Sequence, residues 1–281
     1  MKKILVPTDF SPNANKALKY AAEIAKAAKS TILIVNVCDA VDSPFTDKTI
    51  VEQKHHLPLA EATQKELELI KNELIGNYHL TIETQMYVGP VIPSIMEAAQ
   101  ENNADMIIMG TLGNAAFKEK LMGSITAAII GKATIPVLAV PLLSEWNIPK
   151  HILLLANHFD EKTENTKPAF ELAALFNAKV TVAIFTDKDK AVAVDYLENT
   201  RGLLAYEEKL KAVYKETVIE PEELDGHRFQ ETLDEYIDEH YVDMLVMLTR
   251  KRSFAETVFH KSMTKKMSYH TNIPLLAVPV H

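Results

Sequence analysis

Short, wholly apolar runs alternate along this chain with longer stretches in which apolar residues recur every three or four positions. Ile4-Leu5-Val6 is the first such run. Asp9-Phe10-Ser11-Pro12 then turns the chain, with Ser11 suited to cap a helix and Pro12 to occupy its first position. Ala14, Ala17, Leu18, Ala21, Ala22, Ile24 and Ala25 share one stripe, so an amphipathic helix follows. Thr31 to Val37 predicts a second buried strand, Leu59 to Leu74 a second helix, and Thr81 to Val88 a strand with alternating side chains, punctuated by Gly89-Pro90. Ile92 to Gln100 predicts a helix, Asp105 to Met109 a strand, Ser124 to Gly131 a helix, and Pro136 to Val140 a fifth strand. Strands joined by helical crossovers imply a parallel sheet covered on both faces, which is a doubly wound α/β domain.

The same pattern returns. "KKILVPTD" from Lys2 matches "KHILLLAN" from Lys150 at an offset of 148, and "ADMIIMGT" from Ala104 matches "VDMLVMLT" from Val242 at an offset of 138. "TIPVLAVP" and "NIPLLAVP" keep the second offset. A repeat of this length is too long for a solenoid unit and predicts two copies of one domain, at 1–143 and 150–281, joined near Leu142 to Pro149. The final strand of each copy is apolar on both faces yet would lie at a sheet edge. Val137 to Val140 is therefore expected to pair antiparallel with Leu275 to Val278, making an intramolecular pseudo-dimer.

Composition narrows the partners. The chain has 281 residues, 47% of them hydrophobic, and a formal net charge of −8. Acidity and the absence of a dense Lys/Arg block argue against nucleic acid, since Arg250-Lys251-Arg252 is too short to form one. The apolar run of "MKKILVPTDF" breaks at Pro7-Thr8-Asp9, well short of a signal core or a membrane span. Cys38 is the lone cysteine, so no intrachain disulfide forms, and a cytoplasmic location is expected. Its plainest reading is a small residue near a strand end. His55-His56 lacks acidic or cysteine partners at ligand spacing, and neither it, His270 nor His281 predicts a metal site. Met106, Met109, Met244 and Met247 read as core.

Chemistry collects where the strands end. In a doubly wound sheet the ligand crevice opens at the carboxyl ends of the strands, where their order reverses. Pro7-Thr8-Asp9, Val37-Cys38 and Met109-Gly110 all converge there. Three of the eight glycines, Gly110, Gly113 and Gly123, follow the fourth strand closely. A backbone that turns sharply and offers its N–H groups to an anion needs residues that tolerate positive φ and carry no Cβ. Gly123-Ser124 then precedes a helix whose N-terminus favours phosphate. The stretch reads as a two-ended phosphate cradle, whereas a bare tight connection is the plainer reading of any isolated glycine pair. Neither a G-x-x-x-x-G-K-[ST] stretch nor a G-x-G-x-x-G after the first strand is present, and no nucleophile–base pair stands out.

These features resemble the universal stress protein family, in its tandem two-domain type. The first copy carries the family's ATP-binding spacing, glycine, two residues, glycine, nine residues, glycine-serine, at Gly110, Gly113, Gly123 and Ser124. "ILVPTDFSPNANKAL" and "ADMIIMGT" stand where the family expects them. The resemblance implies two Rossmann-like domains of the adenine nucleotide alpha hydrolase kind. It also implies a nucleotide contacted by Pro7, Thr8 and Asp9 near the adenosine, main chain at Val37 near the adenine, Met109 and the glycine loop, and Ser124, Ile125 and Thr126 at the far phosphates. ATP is the expected ligand, with AMP or ADP as alternatives and magnesium as a possible companion. No catalytic or metal-ligating residue is assigned. A nucleotide-dependent role in stress response or signalling, through an unidentified protein partner, is the preferred reading. A slow ATPase or nucleotidyl-transfer enzyme using a divalent metal is the alternative.

The second copy departs from this pattern. Gly110, Gly113 and Gly123 become Leu248, Lys251 and Lys261, Asp9 becomes Asn157, and only Ser124 is retained, as Ser262. Side chains would stand where phosphate should meet backbone, so that copy is expected to be empty.

Overall fold

A computed structural model describes residues 1–38, 51–111, 123–156, 162–250 and 272–280. They fall into two compact units, Met1–Met109 and Gly110–His281. Gly113, Asn157, Lys251, Lys261, Ser262, His270 and His281 lie outside the described residues, and so do the side chains of His55 and His56.

The first unit runs β1 (Lys3–Pro7), α1 (Pro12–Ala28), β2 (Thr31–Cys38), α2 (Val51–Tyr78), β3 (Ile82–Val88), α3 (Val91–Glu101) and β4 (Met106–Gly110), the division falling inside the last peptide of β4. Its strands lie in the order β3-β2-β1-β4, all parallel. Ile4 to Val6, Ile32 to Val35 and Met106 to Met109 are buried throughout, as parallel strands with helices on both faces require. Every apolar position of the predicted α1 stripe is buried. Ser11 caps that helix through its Oγ, which accepts from the Ala14 N–H at 3.1 Å, and Lys29 at φ 54° ends it in the left-handed region. The helix expected at Leu59 to Leu74 is longer at both ends. The added residues, "VEQKHHLP" before and "IGNY" after, mix polar residues with a proline and a glycine, so they carry little of the apolar period that marks a helix in sequence.

The second unit continues with α4 (Ser124–Lys132), β5 (Val137–Val140) and β6 (His151–Leu155). A 3₁₀ turn at Thr163–Thr166 leads into α5 (Lys167–Phe176), followed by β7 (Lys179–Asp187), α6 (Ala193–Val213), β8 (Ile219–Gly226), α7 (Phe229–Glu239), β9 (Met244–Arg250) and β10 (Leu275–Val280). The strand order is β5-β10-β9-β6-β7-β8. Only the β5–β10 pair among these described strands is antiparallel, with Leu275 opposite Ala139, Leu276 opposite Leu138 and Ala277 opposite Val137. All four residues of β5 are buried, so the apolar edge that the sequence leaves open is covered by the last strand of the second repeat. At the other end β8 carries Glu220, Pro221, Glu222 and Glu223, the charged and proline-bearing composition that protects an edge strand.

One polar device recurs in both repeats. The Asp105 carboxylate accepts from the backbone N–H groups of Lys2 and Lys3, and the Asp243 carboxylate from those of Lys150, at 2.7 Å, and His151, at 2.9 Å. Each aspartate stands just before a strand and ties it to the start of the neighbouring first strand of its repeat.

Candidate functional site

Topology locates the crevice. In the first unit β1 lies between β2 and β4, so the crossovers leave β1 in opposite directions and the switch point falls at the carboxyl ends of β1 and β4. Pro7 ends β1 half-buried, Thr8 is buried, Asp9 is exposed, Val37 is half-buried near the end of β2, and Met109 is buried in β4. The structure thus gathers these five residues at one edge of the sheet.

The turn after β1 is built from side chain to backbone bonds. The Thr8 N–H donates to the Val35 carbonyl at 2.8 Å, and the Thr8 Oγ1 accepts from the Phe10 N–H at 3.0 Å. Asp9 Oδ1 accepts from the Ser11 N–H at 3.1 Å, so the aspartate steadies the residue that caps α1 rather than capping the helix itself. Phe10 adopts φ 61°, a left-handed conformation rare for a bulky residue. Missed by the sequence reading is Asn36, buried one position before Val37, whose Nδ2 donates to the Thr8 carbonyl at 2.9 Å. A lone polar residue within the apolar run "TILIVNVC" was the available signal.

In the second unit the two ends of the glycine-rich loop are bonded to each other. The Gly123 N–H donates to the Thr111 carbonyl, and the Thr126 Oγ1 donates to the Gly110 carbonyl at 2.8 Å. Thr126 is buried, so its hydroxyl serves this strap, while Ser124 and Ile125 are exposed. Gly123 is the N-cap of α4 at φ −61°, ψ 152°. Any residue adopts that conformation, and Gly110 closes a strand, so neither glycine is needed for positive φ. The one described glycine in the left-handed region is Gly89. What Gly123 contributes is the lack of a side chain. Ser11 bonds an N–H in the first turn of α1, whereas a glycine cap cannot occupy those of Ser124, Ile125 and Thr126, which have no partner within the helix. Those three N–H groups and the positive end of the helix dipole suit an anion.

The corresponding places in the second repeat lack this chemistry. Ala156 stands for Thr8, with its N–H donating to the Ala183 carbonyl at 2.8 Å, and Leu248 stands for Gly110, buried in β9. Met106, Met109, Met244 and Met247 are all buried. Among the described residues no three His, Cys, Asp or Glu side chains gather to hold a metal ion, and no helix is long and apolar enough to cross a membrane.

Comparison with known proteins agrees with this architecture. The model of the universal stress protein family matches the chain twice, over residues 1–141 and 149–279, the mark of a tandem two-domain member. The universal stress protein MJ0531 of Methanocaldococcus jannaschii is 33% identical over 141 residues, covering 50% of this chain and 81% of its own. MJ0577 of the same organism, also a universal stress protein, is 31% identical over 153 residues, covering 50% and 94%. The crystal structure of a universal stress protein from Archaeoglobus fulgidus superimposes over 99% of this chain and 98% of its own, with a TM-score of 0.77 and 16% identity, a likeness of fold.

Proposed function

Since the chain belongs to the universal stress protein family, we propose that its first repeat binds one adenine nucleotide and that its second repeat binds none. Asp9 and Thr8 stand by the ribose and base, with the main chain at Val37 facing the adenine. The phosphates run along Gly110, Gly113 and Gly123 to the first turn of α4, where the N–H groups of Ser124, Ile125 and Thr126 receive them. The observation that carries this reading is the start of α4, a helix capped by a residue with no side chain, at the end of a loop whose two ends are hydrogen-bonded together. The first turn of α4 thus offers backbone donors that the helix itself holds in place.

Nucleotide occupancy then acts as a signal, altering which partner the protein engages, and ATP is the ligand expected to carry it. Magnesium accompanies the phosphates as a counter-ion. Calorimetric titration with ATP and magnesium should give one site per chain, and the nucleotide should be recovered intact after incubation. Two equivalent sites, or none with ATP, ADP or AMP, would overturn the reading. Steady conversion to ADP would move the protein to the slow ATPase class.

A further inference from the structure

Asn36 is the buried polar residue that the reading above leaves without a task. Its Nδ2 donates to the Thr8 carbonyl at 2.9 Å, and its Oδ1 accepts from the Cys38 thiol at 3.5 Å. A carbonyl only accepts, so these partners settle which end of the amide faces which way. Thr8 is thereby held on both sides, its N–H by Val35 and its carbonyl by Asn36. The next residues hang from it, with the Phe10 N–H on the Thr8 hydroxyl, Phe10 at φ 61° and the Ser11 N–H on the Asp9 carboxylate. A left-handed phenylalanine persists only where its surroundings impose it.

The second repeat serves as the control. At the same offset of 148, Thr8 becomes Ala156 and Asn36 becomes the buried Ile184. The backbone bond that joins the strand ends is nevertheless kept at the same length, 2.8 Å from Thr8 to Val35 and 2.8 Å from Ala156 to Ala183. The fold therefore needs neither the hydroxyl nor the amide, and both occur in the repeat that carries Asp9.

We infer that Asn36 is a positioning residue for the nucleotide: by gripping the Thr8 carbonyl it holds the Thr8–Ser11 turn in the shape that presents the Asp9 carboxylate. This rests on the nucleotide reading given above, and Asn36 acts through Asp9 without touching the ligand.

The test uses Asn36→Ile, which copies the second repeat, and Asn36→Asp, which keeps the shape but removes the donor. Each is made alone and with Asp9→Ala in the full chain. ATP affinity is measured by calorimetry with magnesium, and amide exchange is followed at Phe10 and Ser11. Both variants should weaken ATP about ten-fold, the size of one good hydrogen bond, and should add nothing in the Asp9→Ala background. Exchange at the two amides should accelerate. Unchanged affinity in a protein that binds ATP, or an undiminished loss in the Asp9→Ala background, would overturn the proposal. Should the unaltered protein bind no ATP, the nucleotide reading fails on its own, and the exchange rates decide the positioning role: faster in Asn36→Asp supports it, unchanged refutes it. If Asn36→Ile does not fold, Asn36→Asp carries every arm.

Discussion

Leu276→Ala tests the strand pair that closes the sheet of the second unit. Leu276 is fully buried on β10, opposite the equally buried Leu138 of β5 on one side and Val246 of β9 on the other. Its neighbours are fixed by ladder bonds on both flanks, so the space left by the lost methyl groups cannot easily collapse. Leucine-to-alanine changes at such sites cost about 3 to 5 kcal/mol, the transfer of the side chain plus the cavity. At about 2–4 °C per kcal/mol for a protein region of this size, the melting temperature should fall by at least about 6 °C. Leu143→Ala is the control, since Leu143 is 72% exposed and its truncation should change stability by less than about 0.5 kcal/mol. Calorimetric melting of both variants reads the difference, and size exclusion with light scattering reads the association state. Leu276→Asp should go further, disrupting the pair and freeing two apolar strand edges that associate between chains. A Leu276→Ala protein that melts with the Leu143→Ala control, or a Leu276→Asp protein that stays monomeric and equally stable, would refute the reasoning.

Two further outcomes are expected. His151 is buried, its Nδ1 donating to the His240 carbonyl at 3.0 Å and its Nε2 accepting from the Thr181 hydroxyl at 2.8 Å, a neutral tautomer. Burial holds its pKa below 6.5, with the His240 carbonyl, Glu220 and Asp243 opposing and Lys179 assisting. The unfolded chain thus binds this proton more readily, so the contribution is whole above about pH 6.5 and declines as pH falls, by at most about 1.4 kcal/mol per pH unit. The stability difference between the natural protein and His151→Gln should shrink from pH 8 to pH 5 in denaturant titrations, and a flat difference would contradict the assignment. Gly113→Val should abolish ATP binding, while Lys251→Val should leave it unchanged; equal effects in calorimetric titration would show that the first loop is only a connector.

The strands were legible because parallel strands buried on both faces are written as short unbroken apolar runs, such as Ile4-Leu5-Val6 and Met106 to Met109. The β5–β10 pair was legible for a related reason. An apolar edge demands cover, and two matching edges in one chain supply it. What stayed hidden was polar. The ends of α2 show no period, and the aspartates at 105 and 243 act on backbone N–H groups far away in sequence. Asn36 acts on a carbonyl just beyond the end of β1, so its role depends on which residues the neighbouring strands set side by side. The reason given for the glycine loop needs correcting at two of its positions, since Gly110 ends a strand and Gly123 is extended, so neither uses left-handed freedom.

The two repeats also differ in whether they could exchange roles. Gly110 is half-buried where a ligand is proposed, whereas Leu248 at the same position is 5% exposed and stands opposite Val278 of β10. In the second repeat the same place is core. Leu248→Gly should accordingly cost about 3 to 5 kcal/mol, from the lost side chain, the cavity and the added freedom of glycine in a strand. It should gain no nucleotide, because Asn157, Lys251 and Lys261 remain in place of Asp9, Gly113 and Gly123. Melting and ATP titration of the one variant separate the two claims. A second nucleotide per chain at unchanged melting temperature would mean that the second site is merely masked by a side chain; a destabilised protein with one nucleotide means that this position serves packing in the second repeat.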